Sequence, residues 1–161
     1  MEIKLDTTQT SEKYLKFKDV ILPWFIEMMQ EYEEKIAPLM KEYHNLFKNN
    51  KQGQYSERIG ELTERTRELK IEILSGYISE NIYISPYDSY PTSFCYFAEN
   101  PELKFVMKSS KKAAIIAKAK DKYGEEIWHK FEFKPNDSEW KLDKMYMSYE
   151  GENGAYKKID F

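Results

Sequence analysis

Few side chains in this chain have the type and spacing to do chemistry, and the pair best placed for it is His129 and Asp143. His129 alternates with Ile127 and Phe131 in a strand-like run, which makes it the one ionisable group on that apolar face. In an open cavity such an imidazole can act as a general base, with Asp143 as the nearby carboxylate. The competing roles are structural: a lone histidine among apolar neighbours is more often a hydrogen-bonded core residue. An aspartate at a bend more often satisfies backbone donors. His44 lies next to Tyr43 in a helical run and reads as solvent-facing. Cys95, between Phe94 and Tyr96 with no cation nearby, reads as a small buried hydrophobe and not as a reactive thiol.

Other chemistries find no support in the spacing. Two distant histidines and one cysteine supply no metal-ligand cluster. No glycine-rich phosphate loop and no serine elbow occurs. Neither a metal nor a cofactor is expected.

The elements that must position His129 and Asp143 follow from periodicity. Apolar residues at Trp24, Phe25, Met28, Met29, Tyr32, Ile36, Leu39, Met40, Tyr43, Leu46 and Phe47 fall at helical spacing. Pro23 is placed to begin this helix, which leaves Ser11 to Leu22 as a shorter one, and Pro38 should kink or interrupt it. After Asn49-Asn50-Lys51-Gln52-Gly53, the stripe Ile59, Leu62, Thr66, Leu69 and Ile73 marks a third helix from Tyr55 to about Ser79. Its seam is too short for a coiled coil, so both stripes are expected to pack against a sheet. The helical part thus runs over about 11–80, with a proline- and tyrosine-rich loop over about 81–92.

An antiparallel sheet is expected over about 93–149. Ser93 to Phe97 reads as a short edge strand, followed by a strand with Leu103, Phe105 and Met107 inward. Lys112 to Lys122 is apolar on both faces at its start, and the chain turns at Tyr123-Gly124. Glu126 to Lys134 puts Ile127, His129, Phe131 and Phe133 on one face and Trp128, Lys130, Glu132 and Lys134 on the other. After a turn at Pro135-Asn136-Asp137, the last strand runs from Ser138 to Tyr149. Its apolar phase shifts between Trp140 and Leu142 and Met145 and Met147, which places a bulge at Asp143-Lys144. The tail, 150–161, ends in a segment able to dock back.

The bulk properties narrow the function. The 161 residues suit one domain, large enough to bury roughly two thirds of its unfolded surface without a staple. The opening Met1-Glu2-Ile3-Lys4-Leu5-Asp6 lacks the apolar core of a signal peptide and no run is long enough to span a bilayer, so a cytoplasmic protein without a membrane role is expected. A net charge of −3 argues against nucleic acid as a partner. Residues up to Glu80 carry 12 basic and 15 acidic groups, so the acidic excess sits on the helical half, where it suits a basic partner or an ordinary solvated face.

Recognition of a partner is carried by aromatic surface. Tyr83, Tyr87 and Tyr90, with Asp88 between them, cluster in the loop, and Trp128 points away from the expected core. Rigid rings with a polar tip bury much area at little entropic cost, which is why they anchor interfaces. The alternative roles are packing beneath the loop for the tyrosines and cover of the tail or of a second copy for Trp128.

Helices first, then a meander of long antiparallel strands whose last member reads Trp140-Lys141-Leu142-Asp143 before a bend, resemble the nuclear transport factor 2-like superfamily. The resemblance covers roughly Ser11 to Tyr149 and implies an α+β cone, with helices packed in the concave face of a curved sheet. That superfamily hosts enzymes, ligand binders and binding proteins, so it identifies fold more than function. Within it the chain looks most like the immunity proteins of bacterial polymorphic toxin systems, on the loop Ser85-Pro86-Tyr87-Asp88, the strand from Lys112, the strand Glu126 to Lys134 and the Trp140 strand. The implied function is occlusion of a cognate toxin with no chemistry of its own. A small-molecule-binding member or an isomerase- or dehydratase-like enzyme of the same fold using His129 and Asp143, and a homodimeric scaffold, are the alternatives.

Overall fold

The computed structural model describes residues 2–49, 56–86, 97, 101–120 and 123–161. The chain is α+β. Two long helices precede most of a six-stranded sheet, in which all neighbours are antiparallel except the first pair.

After the short strand β1 (Lys4–Asp6) and a 3-10 turn (Glu12–Phe17), one helix, α1, runs unbroken from Lys18 to Asn49. The sequence predicts a helix start at Pro23 and a kink or interruption at Pro38, and the helix is broken at neither. An interior proline costs about 3 kcal/mol through its lost N–H and its clash with the preceding turn. Here Ile21, Phe25, Met29, Tyr32, Ile36 and Met40 form a continuous buried stripe whose burial outweighs that cost, at ~1.5–3 kcal/mol per large side chain. Both prolines lie on the exposed side.

Helix α2 (Ser56–Leu74) ends five residues earlier than its pattern predicts and packs along α1, with Leu62, Thr66, Leu69 and Ile73 buried. The Arg58 guanidinium ties the two helices, donating to both oxygens of Glu42 at 2.9 and 3.1 Å. The sheet is covered chiefly by α1, whose Phe25 ring lies 5.0 Å from both Phe131 and Phe133.

Strands β2 (Glu102–Ser109), β3 (Lys112–Lys120), β4 (Glu126–Asn136) and β5 (Glu139–Ser148) form the meander. The alternation expected of β2 and β4 is observed, with odd-numbered side chains on the helix side, and β3, expected to be apolar on both faces at its start, alternates in the same way. Glu132 pairs with Lys144 and Phe133 with Leu142, so Asp143 is the extra residue of a bulge where the phase change places one. The bulge divides the outer edge of β5 between two partners. Residues 145–147 pair with β6 (Lys157–Ile159), which brings the tail back onto the sheet. Leu142 instead exchanges backbone bonds with Tyr77 and Ser79, at 2.8 and 2.9 Å. At the far edge, β1 adds a parallel strand that three residues could not announce by pattern.

Two buried charges depart from the expectation of solvated helix faces. Glu33 accepts the Phe97 amide, 3.0 Å from its nearer oxygen. The Lys70 ammonium donates to the Ser85 carbonyl at 3.1 Å and lies 5.9 Å from the Tyr32 ring centre. Each is held by a segment far along the chain, which satisfies groups that would otherwise be costly to bury.

Candidate functional site

The face of the sheet turned away from the helices carries the surface with most recognition character. Alternation puts Lys104, Ile116, Lys118 and Trp128 on this outer face, because their odd-numbered neighbours fill the core. Trp128 stands opposite Lys118 on β3 and Ser148 on β5, and the Lys118 ammonium lies 5.3 Å from the centre of its ring. A cleft of about 410 Å³ opens here, with Leu5, Ile116 and Trp128 as its apolar lining and Lys104, Lys118 and Glu152 among its polar groups.

The charges of this cleft are paired locally. Lys4 meets Glu102 at 3.0 Å, Lys118 meets Glu126 at 2.7 Å, and Lys104 lies between Glu152 at 2.7 Å and Asp6 at 3.8 Å. Hydrogen bonds from the Thr8 hydroxyl and amide hold the Asp6 carboxyl below its usual range. These pairs fix long side chains at the rim and leave the apolar centre clear.

Glu152 belongs to the tail, which expectation left as a loop able to dock. Its carboxylate reaches back to β2, and it lines both the Trp128 cleft and a neighbouring cleft of about 290 Å³ containing Val106, Ala114 and Lys130. Tyr156 packs edge-on against Tyr146, and the Lys130 ammonium lies 4.5 Å from the Tyr156 ring centre and 5.1 Å from that of Tyr146. Burial, with the Glu152 charge second, pushes the Tyr156 phenol up to about 12. The tail thus forms part of the outer face around Trp128.

His129 and Asp143 take separate places. His129 is fully buried on the helix side, opposite Ala117 and Met147, with its ring 6.3 Å from Phe131. Burial drives its pKa down to about 3, so the imidazole is neutral at physiological pH. Asp143 lies at the bulge, beside the Glu132 and Phe133 pairs, about 10–15 Å along the strands at the usual rise per residue. It accepts the Ser79 hydroxyl at 2.7 Å and the Asn81 side-chain amide at 2.9 Å, and Lys134 lies 3.3 Å away. The chemistry of the bulge is therefore that of a turn clamp, joining the 77–81 segment to the sheet.

Of the loop residues, Tyr83 is 66% exposed, and its amide donates to the Asp160 carboxylate at 3.1 Å. That places it near the β6 edge, and it takes no part in lining the Trp128 cleft. Tyr87, Asp88, Tyr90 and Cys95 lie outside the described residues, as does the expected edge strand except for the buried Phe97. His44 is exposed.

Among the described residues no cluster of three or more His, Cys, Asp or Glu could hold a metal ion, and no helix is long and apolar enough to cross a membrane. Of the cleft-lining residues, Lys104 and Trp128 were legible as outward positions, but the side taken by Ile116 was not, and convergence with Leu5 and Glu152 depends on β1 and the tail. Comparison with family models, with curated proteins and with solved structures found no match.

Proposed function

We propose that this chain is a non-catalytic binding protein that engages a cognate protein through the Trp128 cleft on the outer face of its sheet. The observation that carries this reading is the placement of Trp128, half-buried in a cleft of about 410 Å³ beside Leu5 and Ile116, within a rim of paired charges. An aromatic anchor in an apolar centre with a polar border is the anatomy of a protein interface. Ring faces and alkyl stems give the area, and the rim ion pairs exclude mismatched charge.

The most concrete form of the reading is an immunity protein of a bacterial toxin system, acting in the cytosol by occlusion on a cone-type fold of the nuclear transport factor 2-like kind. Its support is the order of helices before a meander, the bulge at Asp143 and the acidic excess of the helical half, which suits a basic partner. Tyr83, Tyr87, Asp88 and Tyr90 are the second contact region in this proposal. Catalysis by His129 with Asp143 is disfavoured, because His129 is fully buried and Asp143 is committed to Ser79, Asn81 and Lys134.

The test is co-expression with the product of a neighbouring toxin-like gene in catalytically inactive form, followed by gel filtration. An equimolar complex that Trp128→Ala weakens supports the reading. Self-association through Trp128 with no heterologous complex would replace it with a homodimeric scaffold.

A further inference from the structure

A second aromatic cleft lies away from the outer-face cleft and shares none of its residues. Three segments build it: α1 contributes Val20 and Trp24, the turn after α2 contributes Gly76 and Tyr77, and the β4–β5 hairpin contributes Trp140 and Lys141, among others. Its volume is about 240 Å³.

The rings are held in place from behind. Trp24 stacks on Tyr77 with centroids 5.2 Å apart and planes 10° from parallel, and meets Phe133 edge-on at 5.8 Å. Trp140 meets Phe17 edge-on at 5.6 Å. Despite this packing, Val20 is 53% and Tyr77 41% exposed. Large apolar side chains left open over a built cavity mark a binding surface more often than single exposed residues do.

Hydrogen-bonding capacity selects the occupant. Among the described residues, neither indole N–H of Trp24 and Trp140 nor the Tyr77 hydroxyl has a partner. The Lys141 ammonium donates to the Gly76 carbonyl and lies 3.3 Å from Glu139 at the rim of the cleft. The cleft thus offers flat apolar faces, two indole N–H groups that can only donate, the hydroxyls of Tyr77 and Ser138, and one ion pair at its rim.

We propose that this cleft binds a proline-rich segment of a partner protein in the polyproline II conformation. Such a segment has no internal hydrogen bonds, presents its carbonyls outward as acceptors, lacks N–H donors at each proline, and carries flat apolar rings. Aromatic-lined grooves recognise it for these reasons, and its preformed backbone loses little entropy on docking. A cleft below the roughly 300 Å³ at which small-molecule sites begin suits a short contact stretch of a longer chain.

The chain has three tryptophans, Trp24, Trp128 and Trp140, so indole N–H resonances in ¹⁵N-labelled protein report this site and carry an internal control. The probes are a capped ten-residue peptide alternating proline and alanine, an alanine–serine peptide of equal length, and a linear oligosaccharide. The expected result is saturable movement of the Trp24 and Trp140 signals with the proline peptide alone, the Trp128 signal staying in place. Tyr77→Ala should weaken that binding about tenfold. Trp140→Phe, which keeps a ring and loses the donor, should weaken it also. No movement at millimolar proline peptide, equal movement with the alanine–serine peptide, or movement only with the oligosaccharide would overturn the proposal.

Discussion

The Lys104 ammonium donates to both carboxylate oxygens of Glu152, at 2.7 and 2.8 Å, and so ties the tail to β2 across the outer face of the sheet. The pair is largely covered, with side-chain exposures of 21% and 26%, which shields it from solvent more than a rim ion pair. Glu152 lines both outer-face clefts, and Lys104 lines the Trp128 cleft.

Removing that tie should loosen the tail without unfolding the sheet. Glu152→Gln is expected to cost about 1–2 kcal/mol in urea unfolding, the range for a charge-assisted hydrogen bond. Lys104→Met should cost a similar amount, and the double variant less than the sum, since neither partner is then left buried alone. Additive losses would show that the two groups act independently.

Asp143 clamps the 77–81 segment to the bulge. Burial acts to raise its carboxyl, but hydrogen bonds from Ser79, Asn81 and Lys134 outweigh burial and hold it below its usual 3.8. A depressed acid contributes stability above its unfolded pKa and loses it as pH falls through the folded value. Asp143→Asn should therefore cost about 1–3 kcal/mol at pH 7. The difference from wild type should shrink as pH drops below about 4. Denaturant midpoints at pH 7 and pH 3 provide the check, and a difference that does not change with pH would contradict it.

His129 titrates in the opposite sense to an ion-paired histidine. Burial lowers its pKa from 6.5 to about 3, so the unfolded chain binds more protons across that interval and stability falls as pH decreases below 6.5. Through this residue alone the protein should lose about 2 kcal/mol between pH 7.5 and pH 5. His129→Leu should flatten that part of the pH profile. An imidazole that titrates near 6.5 by NMR would show that the site is open to water.

Phe25 anchors α1 on the sheet, meeting the rings of Phe97, Phe131 and Phe133 at 5.0–5.3 Å. Phe25→Ala should cost about 3–5 kcal/mol, the transfer loss plus the cavity left among rigid rings. Phe47→Ala, on an exposed side chain of the same helix, should change stability by less than about 0.5 kcal/mol.

The sheet was legible because its signals are local. Alternation from Leu103 to Phe133 fixed which side chains face the helices, and the phase change between Leu142 and Met145 located the bulge. What the pattern missed depended on partners distant in sequence. Proline rules alone broke α1 at Pro23, whereas the buried stripe on its opposite side holds it together. Nothing in the helical pattern singled out Glu33 and Lys70 as buried charges, whose bonds come from Phe97 and Ser85. Three-residue β1 and the reach of Glu152 left no periodic trace, so the Trp128 cleft was visible only as two separate outward residues, Lys104 and Trp128. The cleft formed by Trp24, Tyr77 and Trp140 was invisible for the same reason, since its walls come from three separate segments.

Recognition through Trp128 is tested most directly by the affinity of the captured partner for wild type and for Trp128→Ala, measured by titration calorimetry. A loss of about 2 kcal/mol or more, roughly thirtyfold, with unchanged thermal stability is the predicted result. Equal affinity for the two proteins would contradict it and move the interface away from the outer face of the sheet.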